Sequence, residues 1–294
     1  MRITRLAFTL IELLVVLTVM VIMAGLLFPV FKSAEDRARQ TQCMSNFHSV
    51  SLATGLYMED YDDYFPPVNY QPAEEPNSRN DRTWVQMVLP YLRSFEVFRC
   101  PSSPTTSLTP EATFDRDLVP GDTFSRFYTA SLHSSVGYNF QYLSPIVKVA
   151  GQWTSEPRSG SMLAKPSSTV VFVDSVWDRS SDGTPFGGGS WLVVPPCRYY
   201  VDSTMPSQRI DSFTMTVAST SEVFTTTEGW DLTGLRTPSL YGGVWARHNG
   251  RATVAKADGS VHAQSVNELA TGCELKDRWQ GVIRDIDTYS WDIR

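Results

Sequence analysis

The hydrophobic pattern of the chain changes near residue 31, and this change divides the chain into two parts. From Leu13 to Phe31 the sequence is almost wholly apolar and carries no charge. A helix that spans a bilayer needs about 20 mostly apolar residues at ~1.5 Å rise each. The pattern therefore predicts a transmembrane helix over residues 8–31. By the positive-inside bias, Arg2 and Arg5 before this helix place the N-terminus in the cytoplasm.

After residue 31 the apolar positions follow a spacing of threes and fours, which is typical of a helix with one buried face. The residues with this spacing are Met44, Phe47, Val50, Thr54, Tyr57 and Tyr61. The spacing predicts that the helix continues as an amphipathic stalk over residues 32–65. We expect one helix from about Phe8 to about Asp60, bent at Pro29 and halted by Pro66 and Pro67.

Residues 66–294 are predicted to form a globular head with short strands. Asn249-Gly250 and Asp258-Gly259 are both strong two-residue hairpin turns, so residues 251–257 should be the single strand between them. We expect a three-stranded meander over residues 245–265, in which His248 pairs with Arg251 and His262 with Ala255. The fold class expected is α+β, with the long N-terminal helix packed on an antiparallel sheet.

Glu12 is an anomaly, because a carboxylate deep in a spanning helix costs on the order of 2.5–3.5 kcal/mol. If the chain were cut between Ala7 and Phe8, the new amine of Phe8 would lie one helical turn from Glu12. A plain signal anchor, which is the alternative, leaves Glu12 without a partner in lipid.

At these residues the chain resembles the type IV prepilins, which include the pseudopilins of type II secretion. The resemblance implies cleavage between Ala7 and Phe8 by a membrane prepilin peptidase, which also methylates Phe8, so that residues 1–7 are a leader. Alanine stands at position 7 where the family normally has glycine. Glu12 would then neutralise the amine of a neighbouring subunit during assembly, and Pro29 would be the helix-bending proline of the family.

A second resemblance extends along the head. The segments carrying it include Cys43-Met44-Ser45-Asn46, Trp84, Leu89-Pro90-Tyr91-Leu92 and Phe98-Arg99-Cys100-Pro101-Ser102, with His248, Asp258 and Gly259 giving H-x9-DG. They resemble a large pilin-like family that couples a prepilin leader to a C-terminal H-x9-DG motif. We interpret His248, Asn249, Gly250, Asp258 and Gly259 structurally: the glycines supply positive φ, and His248 and Asp258 fix the turn ends by hydrogen bonds.

Two groups of residues have the side chains of a metal site. His248 and Asp258 should lie roughly 20 Å apart at opposite ends of one strand, and His248 and His262 more than about 13 Å apart, so these residues cannot share an ion. Asp60, Asp62 and Asp63 at the end of the stalk could hold calcium, but their spacing matches no EF-hand loop, so a solvated helix end is favoured. No metal or other cofactor is therefore expected.

Four cysteines, Cys43, Cys100, Cys197 and Cys273, should lie on the exported side of the membrane, where disulfides persist. They allow three connectivities, and the sequence does not choose among them. We expect Cys43 to pair with Cys100 and Cys197 with Cys273; buried free thiols are the alternative. None forms a C-x-x-C pair, which gives a zinc or redox motif little support.

A net charge of −6 argues against a basic surface for nucleic acid. No catalytic motif is present, so we expect no enzyme. We expect a single-pass subunit in a bacterial inner membrane, with its head in the periplasm or outside the cell, which assembles with other pilin or pseudopilin subunits into a pilus or secretion pseudopilus. The alternatives are a tethered binding module for surface glycans or proteins, suggested by eight tryptophans, and an exported hydrolase.

Overall fold

The computed structural model of the chain describes residues 9–70, 82–103, 131–179, 185–186, 188–201, 209–212, 222–223, 243–276 and 280–294. Helix α1 (Leu10–Asp60) contains 51 residues, which is about 77 Å at ~1.5 Å per residue. Thr9 caps its N-terminus, and Pro29 lies inside it. The helix ends at Asp60, as expected, because Asp62 and Asp63 adopt positive φ and turn the chain, so residues 61–65 of the predicted stalk lie beyond it.

One face of the second half of α1 is buried against the head, as its spacing predicts. The buried residues are Cys43, Phe47, Val50, Ala53, Thr54 and Tyr57. Two expected members differ: Met44 is only half-buried because Cys43 takes the inward position, and Tyr61 is 48% exposed because the helix has already ended.

The head is built from short strands, numbered in chain order. They are β1 (Asn69–Tyr70), β2 (Arg82–Thr83), β3 (Val136–Tyr138), β4 (Ile146–Val149), β5 (Gln152–Ser155), β6 (Val170–Val176), β7 (Asp178–Arg179), β8 (Pro185–Phe186), β9 (Tyr199–Tyr200), β10 (Ile210–Asp211), β11 (Glu222–Val223), β12 (Gly243–Val244), β13 (Arg251–Lys256), β14 (Val261–Ser265), β15 (Cys273–Glu274) and β16 (Val282–Ile283). Short helices are α2 (Trp84–Val88), α3 (Phe140–Leu143) and α4 (Val266–Leu269), with 3₁₀ turns at Leu89–Tyr91, Phe95–Phe98 and Gly160–Met162.

The main sheet is antiparallel and is centred on β6. Strand β3 pairs with one edge of β6, while β12 and β13 pair with the other, and β14 lies outside β13. All seven residues of β6 are buried, and α1 packs on β13 and β14. Smaller sheets are formed by β10-β9-β16-β15, in which β9 and β16 are parallel, and by β11-β4-β5. The fold is thus α+β and pilin-like, with a long apolar N-terminal helix packed on antiparallel sheets.

The C-terminal hairpin differs from the predicted meander in three respects. The hairpin has two strands, β13 and β14, rather than three. The other edge of β13 pairs with β6, and β12, which precedes His248, also pairs with β6. The connection at Asp258-Gly259 has three residues, 257–259, because Lys256 pairs with Ser260 and Gly259 adopts φ 83°. His262 therefore lies opposite Val254 rather than the predicted Ala255.

Aromatic side chains make up much of the core. The largest fully buried side chains are Trp84, Trp291, Tyr138, Tyr142, Phe47, Phe95, Phe98, Phe140 and Phe172. Trp84 stacks on Phe172 at 4.9 Å between ring centroids, and its indole N–H donates to the carbonyl of Trp191. Phe47 of α1 belongs to the same core, so the stalk and the head share one hydrophobic interior.

Candidate functional site

The first half of α1 presents an apolar surface that the rest of the chain does not cover. From Leu10 to Phe31 no described side chain is buried, and Leu10, Phe28 and Phe31 are 81%, 77% and 71% exposed. This stretch is long and apolar enough to cross a membrane, and it is the one such helix among the described residues. Pro29 lies inside the continuous helix near the end of this surface.

Glu12 lies at the tip of this surface and already has a local partner. Its carboxylate accepts hydrogen bonds from the backbone N–H and the hydroxyl of Thr9, at 2.8 and 2.7 Å, and the Thr9 hydroxyl accepts from the N–H of Glu12. This reciprocal arrangement is a capping box at the start of α1. Ala7 and Phe8, the predicted processing residues, lie outside the described residues.

The turn at Asn249-Gly250 has the predicted structure. Both residues have positive φ, 52° and 76°, as a two-residue hairpin turn requires, and His248 pairs with Arg251 across it. Asp258 also has the predicted role, because its carboxylate accepts from the N–H and the hydroxyl of Ser260 at 2.9 and 2.6 Å. These two hydrogen bonds lower the pKa of Asp258.

The imidazole of His248 does not fix the turn end, so the predicted role is wrong for its side chain. Its imidazole is buried at 5% residue exposure, and Nε2 lies 3.4 Å from Sγ of Cys100 and 3.8 Å from Oδ2 of Asp174. Because the Asn249-Gly250 turn reverses the chain there, His248 is held beside β13 at the edge of the core. The backbone of His248 closes the turn, because its N–H and carbonyl exchange hydrogen bonds with Arg251.

Cys43, Cys100, Asp174 and His248 form a buried cluster, which we call the Cys-Asp-His cluster. One donor atom from each residue lies within 4.8 Å of the other three, and Cys43 Sγ is 3.5 Å from Asp174 Oδ1. Four distant segments supply the members: α1, the turn after Phe98, β6 and the turn before β13. Among the described residues, this is the one group of three or more Cys, His, Asp or Glu residues that could hold a metal ion.

Charged and polar groups surround the cluster. Arg247, whose side chain is 1% exposed, places Nε 3.5 Å from Asp174 Oδ1, and the N–H of Thr253 donates to Asp174 Oδ2 at 2.7 Å. The guanidinium also donates to the carbonyl of Ser175 and lies over the ring of Trp245. Burial raises the pKa of Asp174 to about 6, against the opposing effect of Arg247.

The pKa values of the two cluster thiols are shifted in opposite directions. The hydrogen bond from Cys43 lowers the pKa of Cys100, and contacts with His248 and Arg247 add to this effect. The same hydrogen bond and burial raise the pKa of Cys43. Cys100 is therefore the more acidic of the two thiols.

The disulfide predictions have different outcomes. Cys197 and Cys273 are bonded, which confirms that pair and joins the segment before β9 to β15. Cys43 and Cys100 are neighbours, but both are free thiols, so the second predicted disulfide is absent from the structure. Their sulfur atoms contact the carboxylate of Asp174 and the imidazole of His248 instead.

The acidic residues at the end of α1 accept hydrogen bonds from neighbouring segments of the head. Asp60 accepts from the hydroxyl of Tyr91 at 2.6 Å, while Asp63 accepts from the hydroxyl of Ser159 and the N–H of Ser161, each at 2.8 Å. Asp62, the third calcium candidate, does not join these two in a donor group among the described residues. The carboxylates of Asp60 and Asp63 therefore have hydrogen-bond partners within the protein.

The sequence alone did not indicate the Cys-Asp-His cluster. Its members are separated by tens to more than a hundred residues, and no short motif contains two of them. One sequence feature that could have pointed to it is the single acid in the otherwise apolar strand Val170–Val176, because a buried carboxylate needs partners.

The comparisons with known proteins give one match. Residues 32–97 are similar to a family described as a protein of unknown function (DUF1559). The match covers the amphipathic half of α1 and the segment through α2, which is less than a quarter of the chain. No curated protein and no solved structure matches the chain significantly.

Proposed function

We propose that the chain is a structural, non-enzymatic subunit of a type IV pilus or of a type II secretion pseudopilus. In this proposal a prepilin peptidase of the inner membrane removes residues 1–7 and methylates Phe8. The processed subunits then assemble through α1, with the head in the periplasm or at the cell exterior. The family match at residues 32–97 supports the pilin-like class for that segment.

The observation that carries the proposal is the uncovered apolar half of α1. Such a surface in water would be strongly unfavourable, so it requires lipid before assembly and neighbouring helices after it. Lipid alone would accommodate Leu13 to Phe31, but it does not explain a carboxylate at Glu12. A cationic amine from a neighbouring subunit would neutralise Glu12 where lipid cannot.

The capping box gives Glu12 a role in the single chain that is separate from its proposed role in assembly. In the single chain its carboxylate satisfies the backbone N–H of Thr9, a role that glutamine can also perform. Assembly, in contrast, would require the negative charge. Capping and charge pairing can therefore be separated by comparing two substitutions.

The test compares Glu12→Gln and Glu12→Val with Thr18→Val, a matched control within the same apolar stretch. We expect all three proteins to insert in the membrane at wild-type levels. Only the Thr18→Val protein should be recovered in sheared filaments or in the pseudopilus fraction. Normal incorporation of the Glu12→Gln protein would show that capping suffices and would refute charge pairing. Normal incorporation of both Glu12 variants would leave a monomeric tether as the better account.

The alternative of a tethered binding module gains little support from the aromatic residues. Trp84 and Trp291 are fully buried, and Trp191 is 9% exposed. These three residues serve the core of the head, whereas a glycan-binding platform needs several exposed rings, and among the described tryptophans Trp153 alone is exposed, at 45%.

A further inference from the structure

The Cys-Asp-His cluster has the composition and the spacing of a metal site. Zinc binds at about 2.3 Å from thiolate sulfur and about 2.0–2.2 Å from imidazole nitrogen and carboxylate oxygen, so tetrahedral zinc ligands lie roughly 3.3–3.8 Å from one another. Cys43 to Asp174 and Cys100 to His248 are 3.5 and 3.4 Å apart, and the His248–Asp174 separation is 3.8 Å. The other separations among the four donor atoms are within 4.8 Å, so the donors would move inward to hold an ion between them.

From this geometry we propose that Cys43, Cys100, Asp174 and His248 bind one structural zinc ion, which fastens the stalk helix to the head. The inference goes beyond assembly and does not depend on the proposed function. All four ligands come from the protein and are buried, so the site is closed, as structural zinc sites are.

The donor set selects among metals. Two sulfurs, one imidazole and one carboxylate suit zinc, whereas calcium and magnesium take oxygen ligands. Binding changes no oxidation state. The Zn²⁺ ion takes the place of the protons on the thiols of Cys43 and Cys100, and these protons leave to solvent. Two thiolates and one carboxylate carry three negative charges, which the ion and the neighbouring guanidinium of Arg247 together balance.

The surroundings also fit a metal site. The N–H of Thr253 holds Asp174 Oδ2 from outside the cluster, as groups around metal ligands commonly do. On the outer side, Cys100 lines a surface cleft together with Gln42, Asn46 and Arg99. The exposed hairpin residue His262 lies outside the cluster, which makes it a matched control for His248.

The competing chemistry is a disulfide between Cys43 and Cys100. It would consume two of the four donors by oxidation and leave His248 and Asp174 facing sulfur atoms that carry no proton or charge. A disulfide needs neither of these residues beside it. The four-fold convergence of donor atoms therefore favours the metal.

The test measures zinc in the untagged full-length protein, extracted in detergent without chelators. We expect one zinc per chain in the wild type and in His262→Ala, and only background zinc in His248→Ala and Cys100→Ser. Replacing the zinc with Co²⁺ in the wild type should give the sulfur-to-cobalt absorption and the intense visible bands of a tetrahedral thiolate site.

Three results would overturn the proposal. One is equal zinc in the wild type and His248→Ala. Another is wild-type protein without zinc whose Cys43 and Cys100 resist alkylation until a reductant is added, which would show a disulfide. If the variants fail to fold, the cobalt spectrum of the wild type decides alone, and an absent sulfur-to-cobalt band rejects the site.

Discussion

The buried pair of Asp174 and Arg247 should respond unequally to removal of either partner. Asp174 is fully buried in the central strand, and the side chain of Arg247 is 1% exposed. The perturbations are Asp174→Asn, Arg247→Met and the double variant. All are measured in reductant and chelator, so that only the charges of the protein act.

The expected loss in free energy of unfolding depends on which buried charge each variant leaves without its partner. Asp174→Asn keeps an acceptor for the N–H of Thr253 but leaves a buried guanidinium that cannot lose its proton, which should cost about 3–5 kcal/mol. Arg247→Met leaves a carboxylate that can take up a proton, because burial already raises its pKa to about 6. This change should cost about 1–3 kcal/mol. The double variant isolates no charge, so its cost should fall about 2 kcal/mol short of the sum.

Urea unfolding of the full-length protein in detergent, followed by tryptophan fluorescence, measures these free energies. Arg251→Met is the control, because its ion pair with Glu268 is half-exposed and should contribute about 1 kcal/mol or less. Costs that add within about 0.5 kcal/mol would refute the coupling of the pair. An Arg247→Met cost larger than that of Asp174→Asn would refute the argument from proton uptake.

Three further predictions concern the head. Burial lowers the pKa of Lys256 to about 8, below its value in the unfolded state, so the unfolded state binds more protons than the folded state above pH 8. The free energy of unfolding of the wild type should therefore rise by about 2 kcal/mol from pH 8 to 9.5 relative to Lys256→Met. Parallel pH profiles of the two proteins would contradict this. The disulfide joins residues 76 apart, so replacing both Cys197 and Cys273 with serine should lower the free energy of unfolding by about 2–4 kcal/mol in urea; an unchanged midpoint would be inconsistent with its presence. Trp84→Phe should cost about 2–3 kcal/mol by circular dichroism through a lost hydrogen bond and a cavity, whereas Trp153→Phe, 45% exposed, should cost under about 0.5; equal costs would argue against the packing described.

Periodicity in the sequence sufficed for the helix and for much of its packing. The spacing of Phe47, Val50, Thr54 and Tyr57 identified the buried face of α1 because helical geometry alone sets that spacing. The turn at Asn249-Gly250 was likewise predictable, since both residues tolerate positive φ. These are local properties, which neighbouring residues determine.

The predictions that failed depend on distant parts of the chain. The meander was wrong because β6, about 80 residues earlier, occupies the edge of β13 that a third strand would need. The predicted role of the His248 side chain was wrong because the partners of its imidazole come from α1, the turn after Phe98 and β6. Neither spacing nor composition brings those segments together.

The central claim, a processed pilin-like subunit, is tested most directly by the intact mass of the protein extracted from its native membrane. The account predicts a mass reduced by residues 1–7 and increased by one methyl group, with fragmentation placing the methyl on Phe8. A mass that retains Met1 would contradict processing at Ala7-Phe8 and would make the apolar half of α1 a signal anchor.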